Sequence, residues 1–583
     1  MRLAQLARQQ GDVTEALRQV EQALAGIDEL RAGLPSGNEM RATFLASWSE
    51  AQTFQLDLLM QLHAQQPQAD YATRAFDAAE YTRARLLLEL MLEARAELRQ
   101  NLDPQLIVRA RELQLQIARN PVARDLMQLM AEYNFVKGQI RQSNPGFAAL
   151  TQVPPLRLTE VQKELLDDRT LLLEYVPGPQ HSWLFAVTST SLHTFELPPR
   201  RTIEKLVRRY YQLMTDFGQP PVFKAITEKQ AWQHRLLREQ QTVAAALSQM
   251  LLAPAQALLP SKRLLIVPST TLSYVPFAAL PGVGSQLAVA GKKTIPNRQP
   301  TTDTRHPLIV NHEIIILPSA STLGVLRRAS SGRAGAPKTL AIFADPVFGL
   351  YDERVRPAGA TPNLATLARR EMTTSDAASD ATSGNDAEAV PLPRLPASRQ
   401  EAEAIAALVP DSHRKLALDF AACRAAVLDE ELSQYRYVHF ATHGLLDNEH
   451  PELSALVFSL VDRQGVAQDG LLRTMEVFNL KLNAELVVLS GCRTALGKEI
   501  KGEGLMGLTR GFMYAGARRV LASLWQVHDT ATAELMKRFY QGMLGEQKLS
   551  PAAALRAAQI GMWRDTRWHA PYYWAAFTLQ GDW

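Results

Sequence analysis

From about residue 155 to the end, the sequence is organised around short apolar runs at 264–267, 313–317, 340–344, 437–441, 486–489 and 520–524. Several are nearly continuous in hydrophobicity, where a strand with one wet face would alternate. Such runs belong to strands buried on both faces, as in a parallel sheet covered by helices. Helical segments lie between some of them, so an α/β fold with a largely parallel sheet is expected. Ahead of these runs, 171–175 and 183–187 are β-rich and flank Pro177-Gly178-Pro179, a hairpin signal. Amphipathic helices follow to about residue 258.

Residues 1–150 have a different texture. Ala, Leu, Gln, Arg and Glu dominate, all good helix formers. Phe76, Ala79, Leu87, Leu90, Met91 and Ala94 keep one face apolar at helical spacing. Breaks at 33–38 and 101–104 divide the helices. Gly11-Asp12-x-x-Glu15-Ala16 places small residues where a helix-turn-helix repeat needs them. Tetratricopeptide repeats have a period of about 34 residues. One or two degenerate copies account for the pattern, as does a plain helical bundle. A chain of 583 residues exceeds one hydrophobic core. The expected division is a helical, repeat-like region at 1–150 and an α/β region at 151–583. Within the latter, 151–260 holds the hairpin and helices, 261–350 the first sheet strands and 391–583 the catalytic core. The stretch 351–390, small, polar and unpatterned from Met372 onward, is expected to be a disordered insertion.

Composition excludes several function classes. Sixty-three basic and fifty-nine acidic side chains leave a formal charge of +4, with no long basic run. Arg200-Arg201 and Arg208-Arg209 fall in an expected surface helix, so nucleic acid is not indicated as a partner. Cys423 and Cys492 are the two cysteines, too few for a disulfide scaffold or a cysteine zinc cluster. That usage fits a reducing cytoplasm. Neither a signal-peptide core nor an apolar run of about 18 residues is found, so no membrane partner is expected. No metal or other cofactor is called for.

Two strand ends carry the chemistry. In Tyr437-Val438-His439-Phe440-Ala441-Thr442-His443-Gly444 an apolar strand ends at His443, and open α/β sheets bind ligands beyond the carboxyl ends of their strands. His439 lies inside the run and reads as buried structure. In Leu486-Val487-Val488-Leu489-Ser490-Gly491-Cys492-Arg493-Thr494 the cysteine follows a second buried strand. The separation, 492 − 443 = 49 residues, matches the histidine-to-cysteine spacing of about 50 in caspases. A thiol near its reference pKa is little ionised at neutral pH, and the thiolate is the nucleophile. A nearby imidazole takes the proton and later protonates the leaving amine. The backbone N–H groups of Gly444 and Cys492 are the candidate oxyanion hole. Taken singly, a cysteine after a strand is more often core filler, and Cys423, in a helical pattern at 420–426, is read that way. Order and spacing together favour the dyad.

Three segments complete the reading. Gly502-Glu503-Gly504-Leu505-Met506-Gly507 formally matches a dinucleotide fingerprint, but about eleven residues separate it from the preceding strand, where a tight turn is required. It is read as the start of a helix with Leu505, Leu508, Phe512 and Ala515 on one face. After the run at 520–524, Asp529 is the expected helix N-cap. His569 to Phe577 reads as a final aromatic-rich strand.

These motifs resemble the CHAT family, caspase-like domains found beside tetratricopeptide repeats, mainly in bacteria. The resemblance rests on Ile266-Val267-Pro268 with Leu272-Ser273-Tyr274-Val275-Pro276-Phe277, Asp345-Pro346-Val347-Phe348, Leu395-Pro396-Ala397-Ser398-Arg399-Gln400-Glu401, Phe440-Ala441-Thr442-His443-Gly444, Leu489-Ser490-Gly491-Cys492, Gly502-Glu503-Gly504, Ser523-Leu524-Trp525 and Pro571-Tyr572-Tyr573-Trp574-Ala575. It covers about 260–583, with a looser likeness back to about 155. It implies a caspase–separase-like fold and a Cys492–His443 dyad. The chain departs from the family pattern at His528, where relatives often carry an acidic residue. The function implied is a cysteine endopeptidase acting on a protein or peptide, regulated or targeted through its helical N-terminal region. Asp447, Glu503 and Asp529 are candidates to pair with a basic P1 side chain. The alternative is a catalytically silent caspase fold that serves as a protein-interaction scaffold.

Overall fold

All six apolar runs become strands of one sheet. The computed structural model describes residues 1–33, 38–83, 104–119, 155–269, 271–283, 302–356, 392–446, 454–491, 494, 498–500 and 504–583, with a few positions between 128 and 139. The strands are β1 (Thr170–Val176), β2 (Ser182–Val187), β3 (Leu192–Leu197), β4 (Arg263–Val267), β5 (Ile314–Ile316), β6 (Lys338–Ala344), β7 (Arg414–Leu418), β8 (Tyr435–Ala441), β9 (Leu486–Leu489), β10 (Arg519–Ser523) and β11 (Phe577–Gly581). Among the described residues they form an eleven-stranded sheet whose order is β3-β2-β1-β4-β5-β11-β10-β9-β8-β6-β7. The β1–β2, β2–β3 and β10–β11 pairs are antiparallel and the others are parallel. Every residue of β9 and β10 is buried, as two-sided burial requires. The hairpin read from Pro177-Gly178-Pro179 is the β1–β2 pair.

Three local expectations are corrected. The last strand, β11, begins only at Phe577, the final residue of the segment expected at 569–577, within which Pro571–Tyr573 forms a 3-10 turn. Proline has no N–H for a ladder, and the aromatic residues pack around the turn, with Trp574 fully buried and its indole donating to the His569 carbonyl. Leu505 is not on a helix: Gly504–Met506 pairs antiparallel with Lys498–Ile500, and the helix begins at Leu508. Glycine is a poor helix former, and the glycine-rich stretch gives way to a hairpin. Cys423 is extended and half-buried, ahead of a helical turn at Arg424–Val427, where Arg424 pairs with the buried Glu476.

The N-terminal helices are α1 (Arg2–Gln9), α2 (Val13–Gly33), α3 (Asn38–Gln65), α4 (Tyr71–Thr82) and α5 (Pro104–Arg119). The α1–α2 turn is a helix-turn-helix corner: Gly11 has φ +86°, a left-handed value suited to glycine, and Asp12 Oδ1 accepts from Glu15 N at 2.9 Å. Leu87, Leu90, Met91 and Ala94 lie outside the described residues, as does 357–391 of the expected insertion.

Residues of α1–α4 belong to the same hydrophobic core as the sheet, with Phe76 meeting Phe185 edge to face at 5.9 Å. Polar groups on and just after α4 fix the docking. Asp77 accepts from Leu158 N at 2.8 Å. The fully buried Glu80 accepts from Ala320 N and Ser321 N, each at 2.9 Å, and from Ser321 Oγ at 2.6 Å, at the start of helix α8 (Ala320–Ser330), the label following α6 (Arg200–Gly218) and α7 (Ile226–Leu251). Arg83 Nε pairs with the buried Glu174 of β1 at 2.9 Å. Burial, reinforced by the nearby Glu80, pushes the Glu174 carboxyl well above the usual carboxylate range. Glu80→Ala would leave buried N–H donors at the α8 terminus unpaired and is expected to cost about 3 kcal/mol. Glu80→Gln keeps one acceptor and should lose less; equilibrium urea denaturation measures both.

Candidate active site

Strands β8 and β9 run side by side in parallel, with Val438 opposite Val487, His439 opposite Val488 and Phe440 opposite Leu489. Both chains leave the sheet at the same edge. Thr442 follows β8, buried, its hydroxyl donating to the Val457 carbonyl. His443 comes next, and its own carbonyl accepts from Val457 N at 2.9 Å. Gly444–Leu445 then pairs antiparallel with Ala455–Val457, so the backbone on both sides of His443 is tied down.

The His443 ring is half-buried, 4.9 Å from the Phe348 ring, centroid to centroid. Its Nε2 lies 2.8 Å from the Pro393 carbonyl. A carbonyl only accepts, so Nε2 carries the proton and Nδ1 keeps its lone pair. Burial lowers the pKa from the ordinary histidine value, against a smaller upward push from the Pro393 carbonyl. The ring is therefore neutral at neutral pH and able to accept a proton.

On the neighbouring strand, Ser490 N donates to the Phe440 carbonyl at 2.8 Å. Gly491 then lies so close to Thr442 that an added Cβ would meet the Thr442 carbonyl oxygen at under 3.0 Å. No side chain fits there. The Gly491 carbonyl accepts from the Ser523 hydroxyl at the end of β10. Thr494 is held by the same residue, its hydroxyl accepting from Ser523 N at 3.0 Å while donating to the Leu489 carbonyl at 3.1 Å. Residues 491 and 494 thus anchor both flanks of the cysteine motif. Cys492, Asp447 and Glu503 lie outside the described residues.

His439 is fully buried, as its place inside the strand suggests. Its Nε2 lies 2.9 Å from Glu401 Oε1 and its Nδ1 3.2 Å from the Tyr540 hydroxyl. Glu401 Oε1 also accepts from Ser490 Oγ at 2.8 Å, so a buried carboxylate joins the histidine strand to the cysteine segment. The signal for Glu401 was a carboxylate within the apolar stripe Ala397, Ala402, Ile405 of helix α9 (Pro396–Ala406), all buried. Asp529 is placed differently from the expected N-cap. Helix α11 (Asp529–Leu544; α10 is Leu508–Tyr514) is capped by His528, whose Nδ1 accepts from Ala531 N at 3.4 Å. Asp529 Oδ2 instead accepts from Ala397 N at 3.0 Å, at the start of α9, and burial raises its pKa. Trp525 is fully buried.

A family model described as the CHAT domain matches residues 241–582 of this chain. The chain belongs to the CHAT family. Over 112 residues, 19% of this CHAT protein, it is 37% identical to tetratricopeptide repeat protein 28 of Mus musculus, and over 115 residues 36% identical to the Homo sapiens protein of that name. The matched regions span 4% of the length of each of these curated relatives. In architecture the CHAT chain is similar to a chain of the Saccharomyces cerevisiae separase–securin complex, with a TM-score of 0.51 at 10% identity over 98% of this chain and 40% of that one. The fold is thus the caspase–separase type, with a helical region ahead of it. Among the described residues no helix is long and apolar enough to cross a membrane.

The contact between Gly491 and Thr442 can be tested directly. Gly491→Ala forces a methyl group against a backbone oxygen and is expected to cost about 1–3 kcal/mol in urea denaturation. Wild-type stability in that variant would show that the two strand ends do not approach so closely.

Proposed function

We propose that the chain is a caspase-like cysteine endopeptidase in which Cys492 is the nucleophile and His443 its base. One contact carries this reading: the residues immediately before the two, Gly491 and Thr442, are packed backbone against backbone. Consecutive Cα atoms are about 3.8 Å apart, so Cys492 starts within one residue of that contact. His443, neutral and with its Nε2 proton engaged, presents Nδ1 to take the thiol proton. The thiolate then attacks the peptide carbonyl, and the backbone N–H groups of Gly444 and Cys492 receive the oxyanion. The imidazolium returns the proton to the leaving amine, and water hydrolyses the acyl-enzyme with the same histidine as base.

On the substrate side, Asp447 and Glu503 are the proposed partners of a basic P1 residue. Asp529, whose Oδ2 accepts from Ala397 N, is the third candidate. The helical region is proposed to receive a protein partner or regulator. Its shared core with the sheet supports coupling between that region and the site.

Cys492→Ala is expected to lower kcat/KM on a cleaved protein substrate by about ten-thousand-fold with the fold intact by circular dichroism. Retained cleavage would remove Cys492 from the mechanism. A thiol-reactive peptide probe should label Cys492 faster than Cys423, and equal rates would leave a binding scaffold. The rate should also depend on pH in a set direction. Because burial holds the His443 pKa below 6.5, kcat/KM should be maintained down to about pH 6.5 and fall as the imidazole protonates below it. A midpoint above 6.5 would contradict the buried, neutral base.

A further inference from the structure

We propose that the Asp345–Arg394 ion pair is a clamp that positions His443 through the carbonyl of Pro393. The inference rests on the peptidase reading for its catalytic meaning and adds a positioning residue to it. Asp345 follows β6, the strand beside β8, and Ala344 lies opposite Ala441, so the aspartate stands at the level of the segment leading to His443. It is fully buried and adopts φ +47°, a left-handed conformation uncommon for a residue with a side chain. Strain of that kind persists only where the surroundings enforce it.

Arg394 approaches this carboxylate as a fork, Nε to Oδ1 at 2.9 Å and Nη2 to Oδ2 at 2.8 Å, while Nη1 reaches Glu353 at 2.8 Å. Two further guanidinium groups meet the same carboxylate: Arg399 Nε at 2.9 Å and Arg354 Nη1 at 3.0 Å, both from Oδ2. These two are shared with Asp419 and tie helix α9 and the segment after β6 to it. Arg394 is different, because its neighbour Pro393 supplies the oxygen that holds His443 Nε2.

Among the described residues, the backbone at 392–394 makes no hydrogen bond to another backbone group outside regular elements. Residues 392–395 form neither helix nor strand, and prolines at 391, 393 and 396 provide no N–H for a ladder. The Leu395 carbonyl is held by Ser398, whose hydroxyl also accepts from Asp345 N at 3.1 Å. Ahead of that point the Arg394 fork ties the segment down. A planar two-point contact fixes direction as well as distance. It therefore sets where the Pro393 carbonyl points, and through it the ring orientation and tautomer of His443.

Arg394 is the residue to change, since Asp345 keeps Arg354 and Arg399 and stays paired. Arg394→Lys replaces the fork with a point charge, and Arg394→Ala removes it. Imidazole nitrogen NMR of the full chain with labelled histidine reads the result, with His443→Gln identifying the His443 signal. The wild type should show a fixed Nε2–H tautomer. In both variants that tautomer should become a mixture, the titration midpoint of His443 should fall as the upward push of the Pro393 carbonyl is lost, and kcat should fall about tenfold to a hundredfold while KM changes little. If Arg394→Ala does not fold, Arg394→Lys alone is read. An unchanged His443 tautomer and midpoint in the folded variants overturns the clamp. A shifted tautomer in a chain whose wild type cleaves nothing upholds the clamp and counts against the peptidase reading.

Discussion

The parallel pairing of β8 with β9 is the constraint on which the site depends. Backbone hydrogen bonds hold the two strands in one register, and Ser490 extends the pairing one residue beyond the sheet. At the next position Gly491 meets the Thr442 carbonyl with no room for a Cβ. Any side chain at 491 would spread the strand ends, and the residues that follow them, apart. The close approach of two backbones is a role that glycine alone fills.

Around this contact the fold places buried polar groups that bridge elements distant in sequence. Glu401 on α9 touches His439 on β8 and Ser490 after β9. Ser523 after β10 holds both Gly491 and Thr494. Asp345 after β6 gathers three arginines. Each is a satisfied buried group, and a buried group that loses its partner is costly. The edge of the sheet is therefore held by pairings that resist small displacements, as a preorganised site requires. The same principle joins the helical region to the sheet, where Glu80 supplies the acceptors for the start of α8.

Much of the architecture was legible because burial on both faces leaves a mark in composition. The runs at 264–267, 340–344 and 486–489 read as strands because they lack the alternation of a half-exposed sheet, and they occupy interior positions in the sheet. His439 was separable from His443 by its place inside the run rather than at its end. The misreadings have local causes. Aromatic residues at 572–577 suggested a strand, but Pro571 and the packing of Trp574 form a turn first. The segment at 504–506 carries helix-compatible residues, yet it pairs as a hairpin whose partner lies only a few residues earlier.

The sequence by itself determined the class of fold, the strand that ends in His443 and the strand that leads toward Cys492, because periodicity and residue type act over a few neighbours. Tertiary structure decided which residues support that edge. Pro393 and Phe348 reach His443 from separate loops, Asp345 orders the first of these through Arg394, and Glu401 bridges the two strands from a helix. These partners are separated by between about 40 and 100 positions along the chain. Their meeting is set by strand order and helix packing, which no local pattern encodes.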